Sequence, residues 1–336
     1  MKSLNKNIAC LLGGAIGDAL GAPIEFASLS EIREEYGAEG ITDYVEHPNN
    51  CGEFTDDTQM TLFTADGLAR AYHRWKHRGI INIPAFVHSA YEAWYITQTY
   101  SFLEFSGSFD SWLMTKRELF KKRAPGNTCL AALRSGKMGT MESPINNSKG
   151  CGGIMRVAPV GLMFEDPEKA FRIACQLAAT THGHCSGYLS AGFFASVISL
   201  LREETEIETS IEQSIDILLK YSGNEETLAA VNKAVNLAQT SSYSPEIIET
   251  LGAGWVAEEA LAISLYCAIY FKDNFEKGVL ASVNHSGDSD STGSITGNLL
   301  GLMLGKDSIP QKWIDNLLYK DIVCRVAEDL SNGIHS

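Results

Sequence analysis

The sequence predicts an all-α protein, and three observations carry that prediction. Apolar residues recur at helical spacing along most of the chain, strand signals are few and isolated, and short strands do not alternate with helices as they would in a doubly wound sheet. The 336 residues contain only nine prolines, with no linker, repeat or shift in composition. One domain over residues 1–336 is therefore the simplest organisation.

The elements follow in chain order. Lys2 and Lys6 precede the apolar run Ile8 to Ile16, as in a secretory leader. Gly14, Gly17 and Asp18 interrupt it, however, and no small-residue cleavage site follows. Met60, Phe63, Gly67 and Leu68 mark one helical face, Leu189, Phe193, Val197, Leu200 and Leu201 a second, and Ile295, Leu299, Leu302 and Met303 a third. Ala257 to Phe271 reads as a further helix, with Glu258 and Glu259 at the end where acids suit the helix dipole. The polar stretch Arg202 to Ser210 and the run Ser241 to Pro245 read as exposed connections. The late apolar stretch Leu299 to Leu304 is far shorter than the ~20 residues of a bilayer span.

Composition narrows the function. The chain has 27 Lys+Arg against 41 Asp+Glu, a net charge of −14, which makes a poor general binder of nucleic acid. With 45% hydrophobic and 20% charged residues it reads as a soluble globular protein. None of the eight cysteines forms a CxxC pair, and a chain this rich in core does not need disulfides. Buried free thiols in a reducing cytoplasm, with no membrane association, are the expectation.

Two acidic clusters stand out: Thr55-Asp56-Asp57-Thr58, and Gly287 to Thr292 with Asp288 and Asp290. Each precedes an apolar-periodic helix, so capping is the bland explanation. Capping needs one acid or hydroxyl. Two neighbouring carboxylates repel unless a cation lies between them, and an oxygen-only set suits Mg²⁺, Mn²⁺ or Ca²⁺. An EF-hand is excluded, because Leu299 stands where its bidentate Glu belongs. The glycines of Gly13 to Gly21 lack a preceding strand and the dinucleotide spacing, and close helix packing explains most of them. Gly150-Cys151-Gly152-Gly153 reads either as a phosphate-binding run of backbone N–H groups or as a plain turn. His182 and His184 have no third ligand for zinc nearby. Trp94 and Trp255 read as core or pocket-wall aromatics. No GxSxG elbow or Walker A loop is present.

In this order the segments resemble the ADP-ribosylglycohydrolase family. The matching pieces are GAIGDALGAPIEF (Gly14 to Phe26), GEFTDDTQM (Gly52 to Met60), GNT (Gly126 to Thr128), KGCGGIMRVAPVGL (Lys149 to Leu162), TTHGHCSGY (Thr180 to Tyr188), GWVAEEAL (Gly254 to Leu261) and NHSGDSDSTGSITGNLLG (Asn284 to Gly301). The resemblance implies a compact orthogonal multi-helix domain with a central dinuclear site. Two Mg²⁺ or Mn²⁺ ions would be held by Thr55, Asp56, Asp57, Asp288, Asp290 and Ser291. It further implies Glu25 and Asp57 as the catalytic acids, and Gly150, Cys151, Gly152, Gly153, Met155 and His182 at the substrate. Many members carry Asn where this chain has Cys151. The implied activity is metal-dependent release of ADP-ribose from an ADP-ribosylated protein, with arginine the favoured acceptor. The alternatives are ADP-ribosyl-serine, modified nucleic acid, a free ADP-ribosyl metabolite, or an immunity protein that occludes an ADP-ribosyltransferase toxin.

Overall fold

The computed structural model describes residues 2–45, 51–79 and 81–335. Among them are sixteen α-helices and no strand. In order these are α1 (Lys2–Gly21), α2 (Leu29–Tyr36), α3 (Asp56–Arg78), α4 (Ile83–Thr99), α5 (Asn127–Arg134), α6 (Ala158–Met163), α7 (Pro167–Ala179) and α8 (Cys185–Arg202). There follow α9 (Ile207–Leu218), α10 (Glu225–Thr240), α11 (Pro245–Glu249), α12 (Ala257–Tyr270), α13 (Phe275–Val283), α14 (Ser289–Leu304), α15 (Gln311–Asn316) and α16 (Lys320–His335). The buried apolar side chains from Cys10 to Leu330 form one cluster.

The centre of the fold is the pairing of α1 with α14. A Cβ on Gly13, Gly17 or Gly21 would collide with the backbone at Gly297, Gly293 and Ser289, and one on Gly293 or Gly297 with the backbone at Gly17 and Gly13. These glycines are therefore a packing seam, as the sequence suggested, and not a nucleotide loop. The pairing runs antiparallel, so the C-terminal end of α1 meets the N-terminal end of α14. Asn298 fastens the seam by donating its Nδ2 to the Cys10 carbonyl at 3.0 Å.

A second anchor on α1 sets the start of α3. Asp18 is fully buried. It accepts from the Thr55 N–H at 2.8 Å, the Thr58 N–H at 2.9 Å and the Thr58 hydroxyl at 2.5 Å. One helix thus places both acidic segments, α14 through its glycines and α3 through a carboxylate.

Two sequence expectations need revision. Of the stretch Arg202 to Ser210 only residues 203–206 are an exposed connection: α8 ends at Arg202, α9 begins at Ile207, and Arg202, Ile207 and Ser210 are all buried. Glu203, Glu204 and Glu206 carry the charge of the connection, Arg202 and Glu208 belong to the flanking helices, and helical spacing on either side is what the composition concealed. Second, two stretches, Leu4–Ile24 and Cys185–Arg202, are long and apolar enough to cross a membrane, yet each is 89% buried inside the protein. They read as core helices. All eight cysteines are free thiols.

Candidate active site

The ends of α1, α3 and α14 meet at a cavity of about 320 Å³. Glu25, Asp56, Asp57, Asp288, Asp290 and Ser291 line it, together with Gly150, Cys151, Gly152, Met155 and His182. Of the metal-binding, catalytic and substrate residues that the resemblance implies, only Thr55 and Gly153 are not part of this lining. Thr55 sits just behind it. Gly153 is buried, and a Cβ there would face Ala178.

Capping and cluster chemistry coexist. Thr55 is the N-cap of α3 and accepts from the Asp57 N–H at 3.3 Å; Asp288 is the N-cap of α14 and accepts from the Ser291 N–H at 3.3 Å. The remaining acids exceed what the caps require. Asp56 accepts from the Gly126 N–H at 3.2 Å, Asp290 from the Ser291 N–H at 2.9 Å, and Asp288 from the Cys151 thiol at 2.7 Å. Asp57 keeps a buried Oδ1 with no partner. Glu25, Asp288 and Asp290 each offer an oxygen, and these atoms all lie within 4.8 Å of one another.

Every charged residue lining the cavity is an acid. Burial first, and then the Asp290 charge, push Asp56, Asp57 and Asp288 well above the ordinary carboxylate range. The same two causes in the same order raise Asp18 to about 7 and Glu25 to about 10. A crowded, oxygen-only donor set with an orphaned buried oxygen fits a hard divalent cation, which would hold these groups ionised.

The part of the lining around His182 is neutral. Arg156, fully buried against the Tyr91 ring at 4.1 Å, donates to the Thr181 hydroxyl at 2.6 Å. That hydroxyl lies 2.8 Å from His182 Nδ1. With the Thr181 oxygen accepting from Arg156, its proton goes to Nδ1, so the proton of His182 is on Nε2, which lies 3.5 Å and 3.2 Å from where a Cβ on Gly150 and Gly152 would stand. Burial and then the Arg156 charge lower His182 to about 3, so the ring is a neutral N–H donor. His184 does something else: its Nδ1 accepts from the Ser186 N–H at 3.2 Å and caps α8.

The glycine loop is less open than its sequence suggests. The Cys151 N–H donates to the Trp255 carbonyl at 3.1 Å and the Gly150 N–H to Ser148 Oγ at 3.3 Å. Gly152 is the remaining loop glycine that faces both the cavity and His182. Trp94 is core, donating to Gln59 at 3.1 Å, whereas Trp255 lines the cavity. Sequence reasoning missed Asp18 as an anchor and Phe26 as part of the wall. A lone carboxylate inside the apolar run of α1 was the available signal for the first.

Comparison with known proteins bears on the family and the fold. A sequence model of the family described as ADP-ribosylglycohydrolase matches residues 1–336. The ADP-ribosyl-[dinitrogen reductase] glycohydrolase of Rhodospirillum rubrum is 24% identical over 93% of this chain and 90% of its own. The ADP-ribosylarginine hydrolase Tri1 of Serratia proteamaculans is 24% identical over 98% of this chain and 80% of its own. A solved structure titled ADP-ribosylglycohydrolase-related protein complex superposes with a TM-score of 0.67 at 22% identity, covering 99% of each chain, and so shares the fold.

Proposed function

The chain belongs to the ADP-ribosylglycohydrolase family, and on that premise we propose that it hydrolyses the glycosidic bond between C1″ of an ADP-ribosyl group and a protein arginine. The observation that carries the reading is the cavity of crowded carboxylates with no lysine or arginine in its lining. The name of the Rhodospirillum relative supports the bond, and that of the Serratia relative supports the acceptor.

Thr55, Asp56, Asp57, Asp288, Asp290 and Ser291 are the residues that would hold two Mg²⁺ or Mn²⁺ ions. Bound there, the ions supply positive charge that orients water and the ribose hydroxyls and offsets the acids. Glu25, at the mouth, takes the proton of the attacking water as the C1″–N bond breaks and the new C1″–O bond forms, with Asp57 as the second acid on the reacting face. The guanidine leaves with the bonding electron pair, and the transition state has oxocarbenium character. His182 Nε2–H and the Gly152 amide serve the diphosphate oxygens. Free thiols throughout suit a reducing cytoplasm.

The test is a time course on one protein carrying a mapped ADP-ribosyl-arginine and one carrying a mapped ADP-ribosyl-serine, with and without divalent ion. Metal-dependent release from arginine is expected. Release from serine ten times faster overturns the acceptor assignment. Release from neither, with ADP-ribose still bound, turns the reading to metabolites, nucleic acid or occlusion of a transferase toxin.

A further inference from the structure

We infer that Phe26 and Trp255 form a stacking platform for the guanidinium of the modified arginine, so that the acceptor side chain is read at the mouth of the cavity alongside ADP-ribose. This rests on the hydrolase reading above. Phe26 is 71% exposed, and its backbone has φ of 73°, a conformation that bulky residues rarely adopt. Burial of its ring does not offset that strain. Instead the backbone is clamped, Phe26 N–H donating to the Gly287 carbonyl at 3.0 Å and Gly287 N–H returning to the Ala27 carbonyl at 3.3 Å. Strain held in place at a pocket is where a functional role is to be sought.

The clamp delivers the ring onto Trp255. The two centroids are 4.8 Å apart with planes 26° apart, which leaves the outer face of Phe26 open. Trp255 is fixed in turn, its carbonyl accepting from Cys151 N–H, and a Cβ on the preceding Gly254 would lie 3.2 Å from Asp288 Cβ. The platform follows Glu25 in the chain and abuts Asp288 through Gly254, so it borders the acidic end where the bond breaks, and Trp255 continues from there to the Cys151 loop. An aromatic face beside acids attracts a planar, delocalised cation. ADP-ribosyl-arginine presents one there. ADP-ribosyl-serine presents neither plane nor charge.

Phe26→Leu and Trp255→Leu remove the ring faces and keep apolar bulk, and circular dichroism checks the fold of each. KM for a peptide carrying ADP-ribosyl-arginine is expected to rise at least tenfold in both variants. The inhibition constant of free ADP-ribose, which lacks the acceptor, is expected to shift less than threefold. An equal rise in both constants makes the pair an adenine platform and overturns the inference; so does an unchanged KM. A wild type that releases ADP-ribose from a serine peptide and not from an arginine one overturns the hydrolase reading for arginine as well, and so separates the two failures.

Discussion

Across the cavity, the acid wall and the histidine wall solve opposite problems. Asp56, Asp57, Asp288 and Asp290 crowd charge that burial cannot hold, and Asp57 retains a buried oxygen with no partner. Elsewhere in the lining, Thr181 joins Arg156 to a His182 that stays uncharged and serves as a fixed donor. Each side carries an orphaned buried atom, Asp57 Oδ1 in the first and Arg156 Nε behind the second, but only the first crowds like charge. Stability and function therefore pull against each other on the acid side only.

The sharpest way to break this contrast is Asp290→Ala. Turnover is expected to fall by a factor of ~1,000 or more, about 4 kcal/mol in barrier. The metal-free variant should melt no lower than wild type, because Asp290 raises the neighbouring carboxylates. Near-wild-type release of ADP-ribose by a folded variant removes the assignment. Next comes the frame beneath the acid wall. Gly17→Val places a side chain against the Gly293 backbone, and overpacking should cost about 3 kcal/mol, read as a lower denaturant midpoint.

Divalent ion sharpens the comparison through pH. Asp18 and Glu25 have ordinary values of 3.8 and 4.5 and are raised to about 7 and about 10 in the folded protein. Between those limits the folded chain retains protons that the unfolded chain has lost, so metal-free stability falls as pH rises. Mg²⁺ binds the ionised acids, so its stabilisation should grow over the same window, reaching ~2.7 kcal/mol at a hundredfold excess over Kd. A melting temperature that Mg²⁺ leaves unchanged at every pH from 5 to ~9 contradicts the metal assignment. The smallest effect belongs to the neutral wall. In Gly152→Val the new side chain begins 3.0 Å from Cys129 Sγ and His182 Cε1, and ADP-ribose affinity should drop about tenfold, ~1.4 kcal/mol, by calorimetry. Unchanged affinity reduces the loop to a turn.

The acid wall was legible in the sequence and the neutral wall largely was not, for a physical reason. Paired acids followed at once by an apolar-periodic run announce themselves within six residues, because helix starts are local events. The Arg156–Thr181–His182 chain joins a helix-approach loop to the end of α7, and sequence alone gave His182 no partner. Asp18 meets Thr55 and Thr58 from 37 and 40 positions away. Its meaning lies in what it touches, and nothing in its own neighbourhood states that. Phe26 was legible only as part of a matching segment, since a positive φ on phenylalanine leaves no compositional trace. The resemblance supplied the order of the pieces, while the glycine seam supplied the reason they converge.

That seam also governs when the protein can come into being. The Cys10–Asn298 hydrogen bond closes a loop of 288 positions. During synthesis at about 5–20 residues per second, α1 therefore waits tens of seconds for the helix that covers it. Throughout that wait the nascent chain exposes Leu4–Ile24, a segment apolar enough to be mistaken for a membrane anchor. The same smooth glycine face that later brings Glu25 to Asp290 is, on the ribosome, a surface in need of a chaperone.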